Sequence, residues 1–163
     1  MIKVAVGISG GVDSAVAAIL CKQKGYDVIG VTMKIWDGSI SAQTDGTRHA
    51  CFGPEEEQDL EDAEQVCRKI GIPLHVVDCS EYFSRKILSY FRNTYLQGNT
   101  PNPCVFCNQE LKFGLLTDLL LQQGIQFDYF VTGHYAQIES SADGDVHLVQ
   151  AADINKDQSY FLH

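Results

Sequence analysis

Two stretches of this chain carry residue types and spacings that could do chemistry. The first is GISGGVDS, residues 7–14. Gly10 and Gly11 let the backbone approach an anion without a Cβ in the way. Gly7, Ile8 and Val12 complete the turn, Ser9 and Ser14 add hydroxyls, and Asp13 adds an acid. A carboxylate does not bind phosphate directly, but it can hold a Mg²⁺ that does. The stretch lies where an apolar run hands over to a helix-like segment. Unpaired N–H groups and the helix dipole both favour an anion there. There is no Gly-Lys-Ser/Thr ending and no G-x-G-x-x-G spacing, so this is neither a Walker loop nor a dinucleotide fingerprint.

The second stretch is TPNPCVFCNQELKFG, residues 100–114. Pro101 and Pro103 stiffen it, and Asn102 between them is a polar reader. Cys104 and Cys107 form a C-x-x-C pair just ahead of a predicted helix, where a thiol's pKa falls, so either could be a reactive thiolate. The same spacing also serves metals and iron–sulfur clusters. The bland alternative is two thiols that simply pack. Lys112 follows the pair and faces either phosphate or plain solvent.

The elements that must position these stretches follow from periodicity. Residues 2–7 and 26–36 read as buried strands, with a helix over 14–24 between them that stops at Gly25. Residues 37–54 form a long polar, Gly-rich loop. A helix over 55–70 stops at Gly71, and 73–80 is a third strand. A helix over 81–96, a turn-rich loop over 96–108 and a helix over 109–123 follow. Residues 127–139 begin as a fourth parallel strand, SSADGD turns the chain, and 146–151 pairs back as a hairpin. Strands alternating with helices predict an α/β domain: a parallel sheet with helices on both faces, ending in a β-hairpin.

Composition bounds the function. The 163 residues suit one α/β domain with a real core. The formal charge of −9 alone argues against a nucleic-acid partner, but much of the acid sits in PEEEQDLEDAEQ (54–65), read as one exposed helix face, so a local basic groove remains open. No apolar run approaches the ~20 residues of a membrane span, and MIKVAVG lacks the layout of a signal peptide. The expectation is a cytoplasmic protein with no membrane association. Of six cysteines, four stand in apolar contexts where a small buried hydrophobe is the default. The end NKDQSYFLH reads as if cut from a longer chain.

SGGVDS resembles the signature of the PP-loop ATP pyrophosphatases, which cleave ATP between the α and β phosphates and adenylate a substrate oxygen. GISGGVDS, MKIW, TPNPCVFCNQELKFG, VTGHYAQI and NKDQSYFLH, in this order, resemble the N-terminal part of the tRNA-specific 2-thiouridylase family across essentially the whole chain. The resemblance implies a Rossmann-like PP-loop domain over 1–163, followed in the family by a central domain and a C-terminal β-barrel. It implies ATP and Mg²⁺ as cofactors, and tRNA and a persulfide-carrying protein as partners. Gly7 to Ser14, Met33 and Gly133 would bind the nucleotide, with Asp13 on Mg²⁺. Asn102, Pro103 and Cys104 would meet the target base, and Lys156, Asp157 and Gln158 would touch tRNA. Cys107 would be the nucleophile.

This chain has Cys104 where the common family pattern has Asp, which raises a 4Fe–4S cluster on Cys104 and Cys107. The family's later persulfide-bearing cysteine lies past residue 163. The alternatives are another PP-loop enzyme, acting on a different tRNA base or as a synthetase, and a non-catalytic nucleotide-binding module. The TPNPC..C stretch speaks against a metabolite synthetase, and Asp13 with the paired thiols speaks against the non-catalytic module.

Overall fold

A computed structural model describes residues 1–38, 52–53 and 55–162. The expected loop over 37–54, and with it Cys51 and His49, falls almost wholly outside the described residues.

The sheet is parallel throughout. Strands β1 (Lys3–Gly7), β2 (Asp27–Lys34), β3 (Leu74–Asp78) and β4 (Tyr129–Val131) lie in the order β3-β2-β1-β4. Between β1 and β2 lies α1 (Val12–Gln23), and between β2 and β3 lies α2 (Glu56–Ile70). A helical stretch α3 over 80–96 is α-helical at Ser80–Tyr82 and Ser89–Leu96 and π-helical at Phe83–Leu88. The next, α4 over 103–122, is α-helical at Pro103–Cys107 and Leu116–Gln122 and π-helical at Asn108–Leu115. A two-stranded antiparallel hairpin, β5 (Gln137–Ser140) with β6 (Val146–Val149), follows β4.

Side chains alternate along the central strands, so each face of the sheet has its own core. Val4, Val6 and Val28 pack with Ala18 of α1 and with Ala63 and Cys67 of α2. Ala5, Ile29, Val31 and Val77 pack on the other face with Phe83 and Ile87 of α3 and Leu111, Leu116 and Leu120 of α4. The expected α/β sheet with helices on both faces and a closing hairpin is therefore present.

The differences are local and have physical reasons. Helix α1 begins at Val12, capped by Gly11, two residues earlier than periodicity places it. Helix α4 begins at Pro103, inside the expected loop, because the Asn102 side-chain Oδ1 accepts from Val105 N–H at 3.3 Å. Proline is also well suited to the first helical position. The expected strand over 73–80 ends at Asp78, whose carboxylate accepts from Ser80 N–H at 2.9 Å and starts α3. The expected strand over 127–139 splits into β4 and β5, since residues 132–136 leave the ladder where Gly133 seats on α1.

Candidate nucleotide site and the cysteine turn

At the carboxyl ends of β1, β2 and β4 the sheet opens into a pocket of about 320 Å³. Ligands of open α/β sheets bind at this edge. Of the predicted site residues, Gly7, Ile8, Ser9, Asp13, Ser14, Met33, Gly133 and Gln158 line it together. Gly10, Gly11 and Val12 belong to the same turn without lining the pocket. Asn102, Pro103, Cys104, Cys107, Lys156 and Asp157 stand outside it.

The turn is braced from within. The Ser14 hydroxyl accepts from Ser9 N–H at 3.2 Å and donates to the Gly11 carbonyl at 3.1 Å. Ser14 is buried, so its hydroxyl shapes the loop. Gly10 has φ +77°, and a Cβ there would come within 2.9 Å of Asp62 Cβ on α2. Its glycine thus serves packing against α2 as well as the turn. Gly133 is closer still: a Cβ would lie 2.7 Å from both the Asp13 carbonyl carbon and the Ser14 nitrogen. The chain leaving β4 lies directly on the first turn of α1.

Asp13 is held across this contact. The Tyr135 hydroxyl donates to Asp13 Oδ1 at 2.9 Å. Tyr135 is in turn fixed by Gln158, whose Oε1 accepts from Tyr135 N–H at 2.9 Å and whose N–H donates to the Tyr135 carbonyl at 2.8 Å. The Lys156 ammonium lies 5.3 Å from the Tyr135 ring centroid. The Asp157 carboxylate is spent on internal bonds, accepting from Ala151 N–H at 2.7 Å and from the Ser159 hydroxyl at 2.8 Å, which hold its pKa down.

Glu56 and Asp59 were not foreseen as pocket residues. Glu56, in the run read as an exposed helix face, is buried. Its carboxylate accepts from Ile35 N–H at 2.6 Å and Trp36 N–H at 3.1 Å, tying the end of β2 to the start of α2. Burial pushes its pKa up despite these bonds. Asp59 of the same run also lines the pocket. His134 lines it too, with Nδ1 2.8 Å from the Thr132 hydroxyl. Its pKa is lowered by burial and then by Lys112, which favours the neutral imidazole. The sequence offers His134, next to Gly133, as either a nucleotide contact or a structural histidine, whereas nothing in it marks Glu56 or Asp59. Lys112 is the one Lys or Arg among the described lining residues, which also include Asp13, Glu56 and Asp59.

The cysteine turn opens the same helix that carries Lys112. Cys104 is exposed and Cys107 is buried. The rings of Tyr90 and of Phe106, which stands between the two cysteines in sequence, lie 4.8 Å apart and tilted by 36°. Cys79, at the end of β3, shares the core with Cys107, and burial pushes its thiol up to about 11. It stays protonated. The buried Asn108 donates to the Phe161 carbonyl at 2.8 Å, so the final described segment reaches from Gln158 at the pocket to the cysteine helix. Among the described residues no group of three or more His, Cys, Asp or Glu stands where it could hold a metal ion. No helix among them is long and apolar enough to cross a membrane.

Residues 2–163 match the family model described as the tRNA methyl transferase HUP domain. The chain is 47% identical over 162 residues to a tRNA-specific 2-thiouridylase MnmA from Endomicrobium trichonymphae, covering 99% of this chain and 45% of that protein. It is 46% identical over 161 residues to the protein of the same name from Alkaliphilus oremlandii, covering 99% and 41%. The chain thus spans less than half the length of these curated relatives. Its fold is similar to a predicted tRNA methyltransferase subunit from Methanocaldococcus jannaschii, at TM-score 0.51 and 15% identity, covering 83% of this chain and 54% of that one. With the parallel sheet, the glycine turn at its edge and a match over nearly every residue, the chain belongs to the tRNA methyl transferase HUP domain family.

Proposed function

We propose that this chain is the nucleotide-binding and adenylating part of a tRNA uridine 2-sulfurtransferase. One observation carries the reading. The helix that lines the glycine-turn pocket through Lys112 and Leu116 also carries Cys104 and Cys107 at its start. Activation and sulfur chemistry are thereby joined by one element. The names of the 46–47% identical relatives support thiolation over methyl transfer.

The residues divide the work by position. ATP lies in the pocket, its base toward Met33 and its phosphates on the turn of Gly7 to Ser14 and beside Gly133. Lys112 offsets phosphate charge where the other charged lining groups are acids. The donor set fits Mg²⁺, which takes one or two carboxylates together with substrate phosphates. Asp13 would hold it, and the ion would supply charge neutralisation at the phosphates.

Asn102, Pro103 and Cys104 present the target uridine. Its O2 attacks the α phosphorus and pyrophosphate leaves. The terminal sulfur of a donor persulfide then adds to C2, and AMP leaves with the former O2. The Cys107 thiolate attacks the donor's inner sulfur. That breaks the S–S bond, leaves the outer sulfur on C2 and joins Cys107 to the donor as a disulfide. Lys156 and Gln158 bring tRNA to the edge of the site. A 4Fe–4S cluster takes three or four thiolates. The described residues offer two at this place, Cys104 and Cys107, so they do not complete such a site and no step runs through one. We place the activity in the cytoplasm, with tRNA and a persulfide-carrying protein as partners.

The test uses full-length protein with tRNA, Mg·ATP and a persulfide donor, and looks for 2-thiouridine by mass spectrometry of the digested tRNA. The wild type forms it. Cys107→Ser abolishes it while tRNA-dependent release of AMP and pyrophosphate continues. Methylated uridine formed from a methyl donor, with no thiolation, would overturn the reading.

A further inference from the structure

We propose that Tyr135 is a positioning residue for Asp13, and that it links occupancy of the 156–158 segment to Mg²⁺ binding at the nucleotide site. The inference rests on the proposed readings of Asp13 as the Mg²⁺ ligand and of 156–158 as the segment that meets tRNA. The observations form an unbroken chain of contacts. Tyr135 donates to Asp13 Oδ1 at 2.9 Å, which orients the carboxylate and leaves Oδ2 for a cation. Asp13 lies in the first turn of α1, whose N-cap Gly11 has no side chain to bond the Asp13 carboxylate, so the Tyr135 hydroxyl is the side-chain contact that orients it.

Tyr135 is itself set from the other side. Gln158 grips its peptide by two hydrogen bonds, at 2.9 and 2.8 Å, and Lys156 rests over its ring at 5.3 Å. Gly133, two residues before Tyr135, lies against the Asp13–Ser14 peptide, so the strand exit packs directly on the helix start. Asn108 holds the far end of the same segment through Phe161 at 2.8 Å. A polynucleotide that engages Lys156 withdraws its ammonium from the Tyr135 ring and shifts the grip of Gln158. The phenol then re-aims Asp13. Reciprocally, Mg·ATP that fixes Asp13 fixes Tyr135 and pre-orders the segment that meets the polynucleotide, as linkage requires.

The experiment measures binding of α,β-methylene-ATP to the full-length protein by calorimetry, across a Mg²⁺ titration and in EDTA. Asp13→Asn removes the enhancement by Mg²⁺. Tyr135→Phe, which deletes one hydroxyl and keeps the ring, raises the Mg²⁺ concentration for half-enhancement about tenfold and leaves metal-free affinity unchanged. Gln158→Ala raises it by about threefold, a smaller effect at one remove. Unfolding midpoints of the variants report their folded state. If Asp13→Asn shifts the Mg²⁺ dependence and Tyr135→Phe does not, the inference fails and the Asp13 assignment stands. If Tyr135→Phe weakens metal-free and Mg²⁺-supported binding equally, its role is structural and the inference fails. If Asp13→Asn leaves the Mg²⁺ dependence intact, both fall.

Discussion

The candidate nucleotide pocket and the cysteine turn share one helix, the cysteines at its start and Lys112 and Leu116 along its middle, yet they are built differently. The pocket is assembled by contacts between elements far apart in sequence: Gly133 on the Asp13–Ser14 peptide, Glu56 on the end of β2, Tyr135 on Asp13. The cysteine turn is set mostly by its immediate neighbours. Asn102 caps it, Pro103 starts it, and Phe106 leans on Tyr90. A single substitution in the first region breaks a junction between elements, whereas one in the second frays a single helix end.

This contrast orders the expected effects. Gly133→Ala is the most severe. Its Cβ would meet backbone at 2.7 Å, which no rotamer relieves. Overpacking of this kind costs about 3 kcal/mol. Denaturant unfolding should show that loss together with at least tenfold weaker ATP binding. Unchanged binding in a folded variant would mean that the junction does not shape the pocket.

Glu56 comes next. Glu56→Ala strands the Ile35 and Trp36 N–H groups and costs about 2 kcal/mol, while Glu56→Gln, which keeps an acceptor, costs less. The pH dependence has a definite sign. Burial raises the folded-state pKa of Glu56 above its unfolded value. Its contribution is therefore fully present below the ordinary carboxylate pKa and is lost as pH rises through the raised one. Unfolding curves across this window should fall for the wild type relative to Glu56→Gln. Parallel curves would show that Glu56 does not titrate there.

Asn102→Ala is the mildest, at about 1 kcal/mol for a lost N-cap. Hydrogen exchange should quicken at residues 103–107 and stay unchanged around β1 and α1. Faster exchange in both places would erase the distinction between the two regions.

The same contrast explains what could be read from the sequence. The cysteine turn and the glycine turn are written in consecutive residues, and the alternating apolar strands and glycine-terminated helices declare the sheet. Glu56 was hidden because its run, PEEEQ, has the composition of a solvated helix face, and only the fold turns one of those acids inward. Tyr135 was hidden because its partners, Asp13 and Gln158, lie 122 residues before it and 23 residues after it. The π-helical stretches over Phe83–Leu88 and Asn108–Leu115 leave no signature in apolar spacing. The second stretch carries Lys112 to the pocket from a helix that begins with the cysteines. Wide turns of this kind recur at functional sites.

The central claim is that ATP is spent on making a uridine oxygen a leaving group. Its most direct test follows that oxygen. Full-length protein is given tRNA labelled with ¹⁸O at uridine O2, Mg·ATP and a persulfide donor, and the released AMP is analysed by mass spectrometry. One ¹⁸O in the AMP phosphate, in proportion to the 2-thiouridine formed, is the predicted result. Unlabelled AMP, or ADP as the nucleotide product, would contradict it.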